Sequence, residues 1–294
     1  MMKSVRQNKL AAILFILPAS LLFFTIIIMP IFMSGYYSFL GWDGINQPTF
    51  IGIGNYIELF TSQVAGFPKS LLNALILAFL SVFIQLPLSL GLALLLSRGV
   101  KGEKFFVAVF FMPVLISTVV IGQLWLKIYN PEYGIVNVAL NSLGLEKYTR
   151  TWLGEQDTAL IAVFIPIIWQ YVGYHMLLMY AGIKSIPTEI REAAKVEGAT
   201  EGQIDRYIII PMLKPIIRVC VIFAVTGSLK AFDLIYVLTR GGPAKATEVS
   251  STLMVSMIFD RNRYGFGSAI AIMIIALCFF FALAIKRAFG TEED

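Results

Sequence analysis

The side chains able to do chemistry in this chain are few, and most of them lie inside long apolar stretches. His175 is the only histidine, within an uncharged run from Thr158 to Ile183. A nucleophilic triad or a metal cluster would have to be built around that one imidazole, and no His-Glu-x-x-His pair occurs. Its simplest use is a hydrogen bond at a helix interface. Cys220 and Cys278 both sit in apolar runs, so they support neither a disulfide framework nor a thiolate metal site. No Gly-Lys pair exists anywhere, which removes the G-x-x-x-x-G-K-S/T phosphate loop and ATP hydrolysis through it. The residues imply no catalytic group, metal or cofactor. What remains is a set of neutral hydrogen-bonding and amphipathic side chains in or beside apolar runs: Asn73, Gln85, Gln123, Gln170, Tyr171, Tyr174 and Tyr236. Lys230 and Asp233 add one charge of each sign. Groups of this kind are costly in hydrocarbon, so each either ties helices together, anchors at an interface or lines a polar path.

The elements that must position them follow from composition. The 294 residues are 58% hydrophobic and 14% charged, and mean hydropathy is +0.79. A soluble domain carries about a quarter charged residues, so this surface faces a nonpolar solvent, a lipid bilayer; disorder is excluded by the same numbers. The net charge of +5 sits in short groups beside apolar runs, a membrane-topology pattern and not a nucleic-acid surface. About 30 Å of hydrocarbon needs roughly 20 apolar residues per helix. Uncharged stretches run from Leu10 to Met33, Leu71 to Leu96, Phe105 to Leu126, Thr158 to Ile183 and Phe266 to Ile285. A sixth, Val219 to Leu238, contains Lys230 and Asp233, whose i, i+3 spacing places them on one helix face where they could neutralise each other.

The predicted fold is therefore all-α, a polytopic membrane protein of six transmembrane helices forming one domain over 1–294. The first span exceeds the apolar core of a signal peptide and is expected to be retained. Six spans put both termini on one side. Residues 1–9, 97–104, 184–218 and 286–294 hold 14 Lys and Arg in 61 residues, against 8 in 95 for the opposite segments. The first set, with both termini, is thus expected to be cytoplasmic.

Most cytoplasmic segments are short, but 184–218 has local structure written into it. Pro187 and the residues Thr188 to Glu197 predict a helix, closed by Gly198 in a left-handed conformation. Thr200 and Gln203 have capping-box spacing, predicting a second helix to about Ile209, where Pro211 ends it. Ile190, Ala193, Ala194 and Glu197 predict a narrow face suited to close docking, and Ile204, Tyr207 and Ile208 a face packed back on the membrane domain.

Glu192-Ala193-Ala194, then Gly198, Ile208, Ile210 and Pro211 at their spacing, resembles the EAA motif of permease subunits of binding-protein-dependent ABC importers. The family usually has Leu at 210, and commonly aromatics at 202 and 205 where this chain has Gly202 and Asp205. The resemblance implies an ABC importer permease fold in the cytoplasmic membrane. It assigns Glu192, Ala193, Ala194, Gly198, Ile208 and Pro211 to coupling with a cytoplasmic ATPase. It further implies a second homologous permease, two ABC ATPase subunits and an extracytoplasmic solute-binding protein as partners, and no nucleic acid.

Two further stretches are similar to the carbohydrate-uptake group that handles oligosaccharides and glycerol phosphate compounds. They are Trp169 to Met176, with Ala181-Gly182 and Ile186-Pro187, and Phe232-Asp233 with Thr239, Gly241-Gly242-Pro243 and Thr247-Glu248. The resemblance covers essentially the whole chain and implies that the Gly241, Gly242 and Pro243 loop faces the binding protein. Sugars present hydroxyl arrays over weakly apolar ring faces, so the amides and tyrosines named above suit their path. The competing readings are a permease for another solute, an ion-coupled secondary transporter, which would want buried ionisable groups near mid-membrane, and a membrane-embedded enzyme, for which no catalytic set can be assembled.

Overall fold

The computed structural model describes residues 9–62 and 66–290, so the basic N-terminal residues Lys3 and Arg6 and the last four residues lie outside the described residues. In chain order the elements are α1 (Ile13–Tyr37), strands β1 (Leu40–Gly41) and β2 (Thr49–Phe50), α2 (Gly54–Thr61), α3 (Phe67–Ser97), α4 (Glu103–Leu115), α5 (Thr118–Ile128) and α6 (Ile135–Ser142). There follow α7 (Gln156–Ser185), α8 (Thr188–Val196), α9 (residues 201–212), α10 (Lys214–Leu229), α11 (Asp233–Thr239), α12 (residues 250–260) and α13 (Tyr264–Ala288). The all-α expectation holds apart from the two-residue strand pair. By length and composition five segments can cross a membrane: α1, α3, α7, α10 with α11, and α13; α4 with α5 makes six if the bent pair is one span.

That bent pair corrects the third expected span. Phe105 to Leu126 is not one rod: α4 and α5 meet at 97°, through extended backbone at Ile116 and Ser117. Pro113 leaves the last turn of α4 short of a donor, and the β-branched run Ile116, Thr118, Val119 and Val120 has little helical preference to carry the chain through. Hydropathy cannot register such a bend, because every residue around it is uncharged. The fifth span also differs. Its helix breaks between Leu229 and Asp233, with Phe232 at φ −141° and ψ −64°. Lys230 and Asp233 therefore do not share a helix face, and no ion pair joins them among the described residues.

Pro18 and Pro166 lie inside unbroken α-helix, and three further prolines are accommodated by a widened turn. Widened π turns at Phe24–Ile28, Ser81–Gln85 and Asp205–Ile209 each end two residues before a proline, at Pro30, Pro87 and Pro211. A proline ring collides with the carbonyl four residues back and removes a donor; widening the preceding turn makes room and re-registers the freed groups. Pro211 thus does not stop α9, which runs on to Met212.

The chain divides into two compact units, one drawn from residues up to Ala65 and from Met254–Met273, the other from Gly66–Leu253 and from Ile274 onward. In the first, the most apolar part of α1 buries nothing within the chain. The Asn55 amide donates to the carbonyls of Ser38 and Leu40 at 2.8 and 2.9 Å, holding α2 to the strand pair. Arg263 donates twice to Glu58, at 2.8 and 2.6 Å. This fork holds the Glu58 carboxyl below its ordinary value of 4.5.

In the second unit, α3, α5, α7 and α11 enclose one apolar cluster containing Ala74, Leu77, Ile121, Phe164, Leu234 and Ile235. The other half of α3 and α7 packs with α9 and α10 around Ala93, Leu96, Met176, Met179, Ile209 and Leu213. Ser89 Oγ donates to the Val172 carbonyl at 2.8 Å. Gly173 lies flat against α4: a Cβ there would overlap the Phe110 carbonyl oxygen.

Gly173→Ala is expected to destabilise the detergent-solubilised protein by about 1–3 kcal/mol through overpacking, read as a lower Tm. Gly91→Ala, with nothing within 4 Å of its Cβ, should be neutral or stabilise by up to about 1 kcal/mol. Because the Glu58 pKa is depressed on folding, its stabilisation is present above the ordinary value of 4.5 and is lost as pH falls below it. Glu58→Gln should therefore lower Tm at neutral pH, and the gap from the wild type should close on acidification to about pH 3.

Candidate functional site

Two places in the second unit gather the polar residues. The first is a cavity of about 350 Å³ between α3, α5, α7, α10 and α11. Gln85, Gln170, Tyr171, Tyr174, Lys230 and Asp233, all singled out from sequence, line it together. Sequence reasoning did not single out Ser81, Thr118, Thr226 and Ser228, which add hydroxyls, while Phe223 and Phe232 add apolar ring surface. His175, read from sequence as a helix-interface residue, also lines it. Ser81 and Ser228 meet across the wall with their hydroxyl oxygens 3.2 Å apart. The signal that could have found Ser81 is the repeat Ser81, Gln85, Ser89 at four-residue spacing, a polar stripe on an apolar helix.

Gln170 Oε1 and His175 Nδ1 are buried with no hydrogen-bond partner among the described residues. Buried polar atoms are normally paired, so two such groups in the wall of one cavity mark a place where a polar ligand can complete the set. Lys230 and Asp233 are both exposed at the break between α10 and α11. The break turns them to the cavity instead of to each other, a common placement for ionisable groups at membrane depth. The lining is thus mainly neutral donors and acceptors with aromatic faces, and its volume lies in the range of small-molecule sites.

Three residues with the same sequence signature lie elsewhere. Asn73 is buried and its amide donates to the carbonyls of Ala246 and Glu248 at 3.0 and 2.8 Å. Gln123 is exposed on α5, away from the cavity lining. Tyr236 stacks on Phe232 at 5.0 Å and lies near the Arg240 guanidinium. The Gly241, Gly242 and Pro243 turn is pinned from below: Thr247 is fully buried, and its hydroxyl donates to the Gly242 carbonyl at 2.7 Å. Gly241 takes φ +85°, which disfavours any side chain there.

The second place is the elbow formed by α8 and α9. Gly198 at φ +82° closes α8 as foreseen, with the Ala199 amide donating back to the Ala194 carbonyl at 3.0 Å. The capping box also forms: the Thr200 amide donates to Gln203 Oε1 at 2.8 Å, and the Gln203 amide to Thr200 Oγ1 at 3.4 Å. Glu192, Ala193 and Gly198 are exposed, beside Val196 at 87% exposure. The face expected to dock as one divides, since Ala194 packs inward while Ala193 and Glu197 face out.

On α9 the expected inward face is corrected. Ile204 and Ile209 are buried, Ile208 is half-buried, and Tyr207 is 68% exposed. The π turn inserts one residue into the repeat, so the inward position after Ile204 comes five residues later, followed by Leu213. Pro211 follows that turn and Ile210 is half-buried.

Sequence noted Asp205 only as a departure from the family pattern. It is 5% exposed and accepts hydrogen bonds from both Arg98 and Arg191, the latter at 3.1 Å. The carboxylate raises the Arg98 guanidinium further above its already high value. By contrast the Lys195 to Glu201 bridge, at 2.7 Å, is exposed; it lowers the Glu201 carboxyl and contributes little to stability.

Over residues 9–290 the chain matches the family described as binding-protein-dependent transport system inner membrane component. It is 38% identical over 293 residues to the probable ABC transporter permease protein YurN of Bacillus subtilis, covering 99% of each chain. It is 32% identical over 291 residues to the trehalose/maltose transport system permease protein MalF of Thermococcus litoralis, covering 98% of this chain and 96% of that one. A chain from the crystal structure of a bacterial alginate ABC transporter, in complex with an alginate pentasaccharide-bound periplasmic protein, shares the fold with a TM-score of 0.85 at 23% identity, covering 99% of both. With a match that spans every described helix and includes the elbow, the chain belongs to the family of binding-protein-dependent transport system inner membrane components.

Proposed function

We propose that this protein is the transmembrane permease subunit of an ABC importer that moves a carbohydrate across the cytoplasmic membrane. The observation that carries the reading is the exposed, doubly capped elbow bearing Glu192, Ala193 and Gly198, set between two of the helices long and apolar enough to cross a membrane. The carbohydrate assignment is supported by a cavity of neutral amides, hydroxyls and aromatic faces, and by the trehalose/maltose system to which the MalF relative belongs.

In this reading the chain is one permease domain with both termini cytoplasmic and no ATP site of its own. It pairs with a second, homologous permease. Two cytoplasmic ATPase subunits dock on the elbow, where Glu192, Ala193, Ala194 and Gly198 form the contact and Ile208 and Pro211 hold α9 beneath it. A solute-binding protein delivers cargo on the opposite side, over the turn at Gly241, Gly242 and Pro243. Closure of the ATPases displaces the elbow, and the spans alternate between outward-open and inward-open states. Gln85, Gln170, Tyr171 and Tyr174 offer hydrogen bonds and ring faces to the sugar. Lys230 and Asp233 stand at the helix break beside it, while Asn73, Gln123 and Tyr236, outside the lining, serve the scaffold.

The test is uptake in vesicles containing the chain with its partner permease, its ATPase and its binding protein. Uptake of a sugar that requires ATP and the ATPase is expected; transport driven by a proton or sodium gradient alone would overturn the reading. Ala193→Trp should reduce ATP-driven uptake by about tenfold or more by spoiling a close-packed contact, with Tm unchanged because Ala193 is exposed. Gln170→Leu should lower uptake by about tenfold, the loss of one good buried hydrogen bond, while sugar affinity of the isolated binding protein stays constant.

A further inference from the structure

Resting on the permease reading, we infer that Asp205 is a positioning residue that ties the elbow to the end of the second span, so that displacement of α8 and α9 is passed to α3. Its carboxylate is the meeting point of three elements. One oxygen accepts from Arg98, which caps α3, and the other from Arg191 on α8 at 3.1 Å. Asp205 itself opens the π turn of α9.

The arrangement is not needed merely to seat the elbow. Ala194, Ile204, Ile209 and Leu213 already pack it against the core. The end of α3 is also held independently, since Lys184 Nζ donates to the Ser97 carbonyl at 3.3 Å and pairs with Glu103 at 2.8 Å. A buried carboxylate is costly even when paired, and apolar groups of similar volume often serve stability better. What an ionic bridge adds is a directional, specific link between parts that must keep register. A link from Arg191 through Asp205 to Arg98 joins the surface that receives force to the helix that carries Gln85 in the cavity wall.

The experiment uses the full importer reconstituted in nanodiscs or vesicles. Spin labels are placed at Thr188→Cys and Lys101→Cys in a Cys220→Ala, Cys278→Ala background. Distances between α8 and the end of α3 are measured alongside sugar imported per ATP hydrolysed. Asp205→Asn, which keeps the shape, and Arg98→Gln, which breaks only the α3 arm, should both broaden the distance distribution. Each should also cut import per ATP by about fivefold or more, the scale of a coupling between sites. Arg98→Lys should recover most of the loss, and Glu201→Gln, which breaks the exposed bridge to Lys195 and leaves both hydrogen bonds to Asp205 in place, should leave both readouts near wild-type values.

Unchanged distances and an unchanged import ratio in Asp205→Asn and Arg98→Gln would overturn the inference. So would a folding failure confined to Asp205→Asn, with Arg98→Gln behaving as wild type. An absence of ATP-driven uptake in the wild type would overturn the permease reading instead, and the distance measurement would still decide whether the link exists.

Discussion

Hydrocarbon offers no hydrogen-bond partner to a backbone amide or carbonyl, and the main features of the chain follow from meeting that demand internally. Helices satisfy it within each segment. The difficulty is the prolines, each of which withdraws a donor and crowds the carbonyl four residues back. At Pro30, Pro87 and Pro211 the chain widens the preceding turn and continues. Near Pro113 the helix instead ends, and the next one leaves at 97°. That bend brings Thr118 to the cavity and lets α5 pack with α3, α7 and α11 around Ile121.

The same economy governs the side chains. Polar groups in the spans fall into two populations, distinguished by whether their partners are already present. Asn73 donates its two amide protons to two loop carbonyls, and the single Ser89 hydroxyl proton is shared between the carbonyls of Gln85 and Val172. Gln170 and His175, equally buried, each retain an atom with no partner among the described residues, and both line one cavity. The cost of leaving such atoms bare in an apolar setting makes these two the sharpest pointer to a ligand, more so than the larger set of polar residues identified by type. Lys230 and Asp233 follow the same logic: the helix break that parts them also turns them to the cavity.

The elbow combines both principles. Its caps are local and close the backbone of α8 and open that of α9. Its register is set by a π turn that moves Ile209 inward and Tyr207 outward, and its one buried acid is neutralised by arginines distant in sequence. The family resemblance, carried by Glu192, Ala193, Ala194 and Gly198, assigned the elbow to coupling with an ATPase, but gave no account of why an acid stands at 205.

Much was legible in the linear order of residues. The all-helical character, the apolar spans to within a few residues of their ends, the Gly198 closure and the Thr200 capping box are consequences of composition and local spacing, and these act over one turn or one segment. Tertiary structure decided the rest. Whether Asn73 or Gln170 faces a cavity depends on which helix lies opposite. The 97° bend falls among uncharged residues that hydropathy scores alike, and the break between α10 and α11 parts Lys230 from Asp233, whose spacing alone would have placed them on one helix face. The pairing of Asp205 with Arg98 spans 107 positions. Local rules reach only as far as neighbouring turns, whereas the partner of a buried polar group is chosen by the three-dimensional fold.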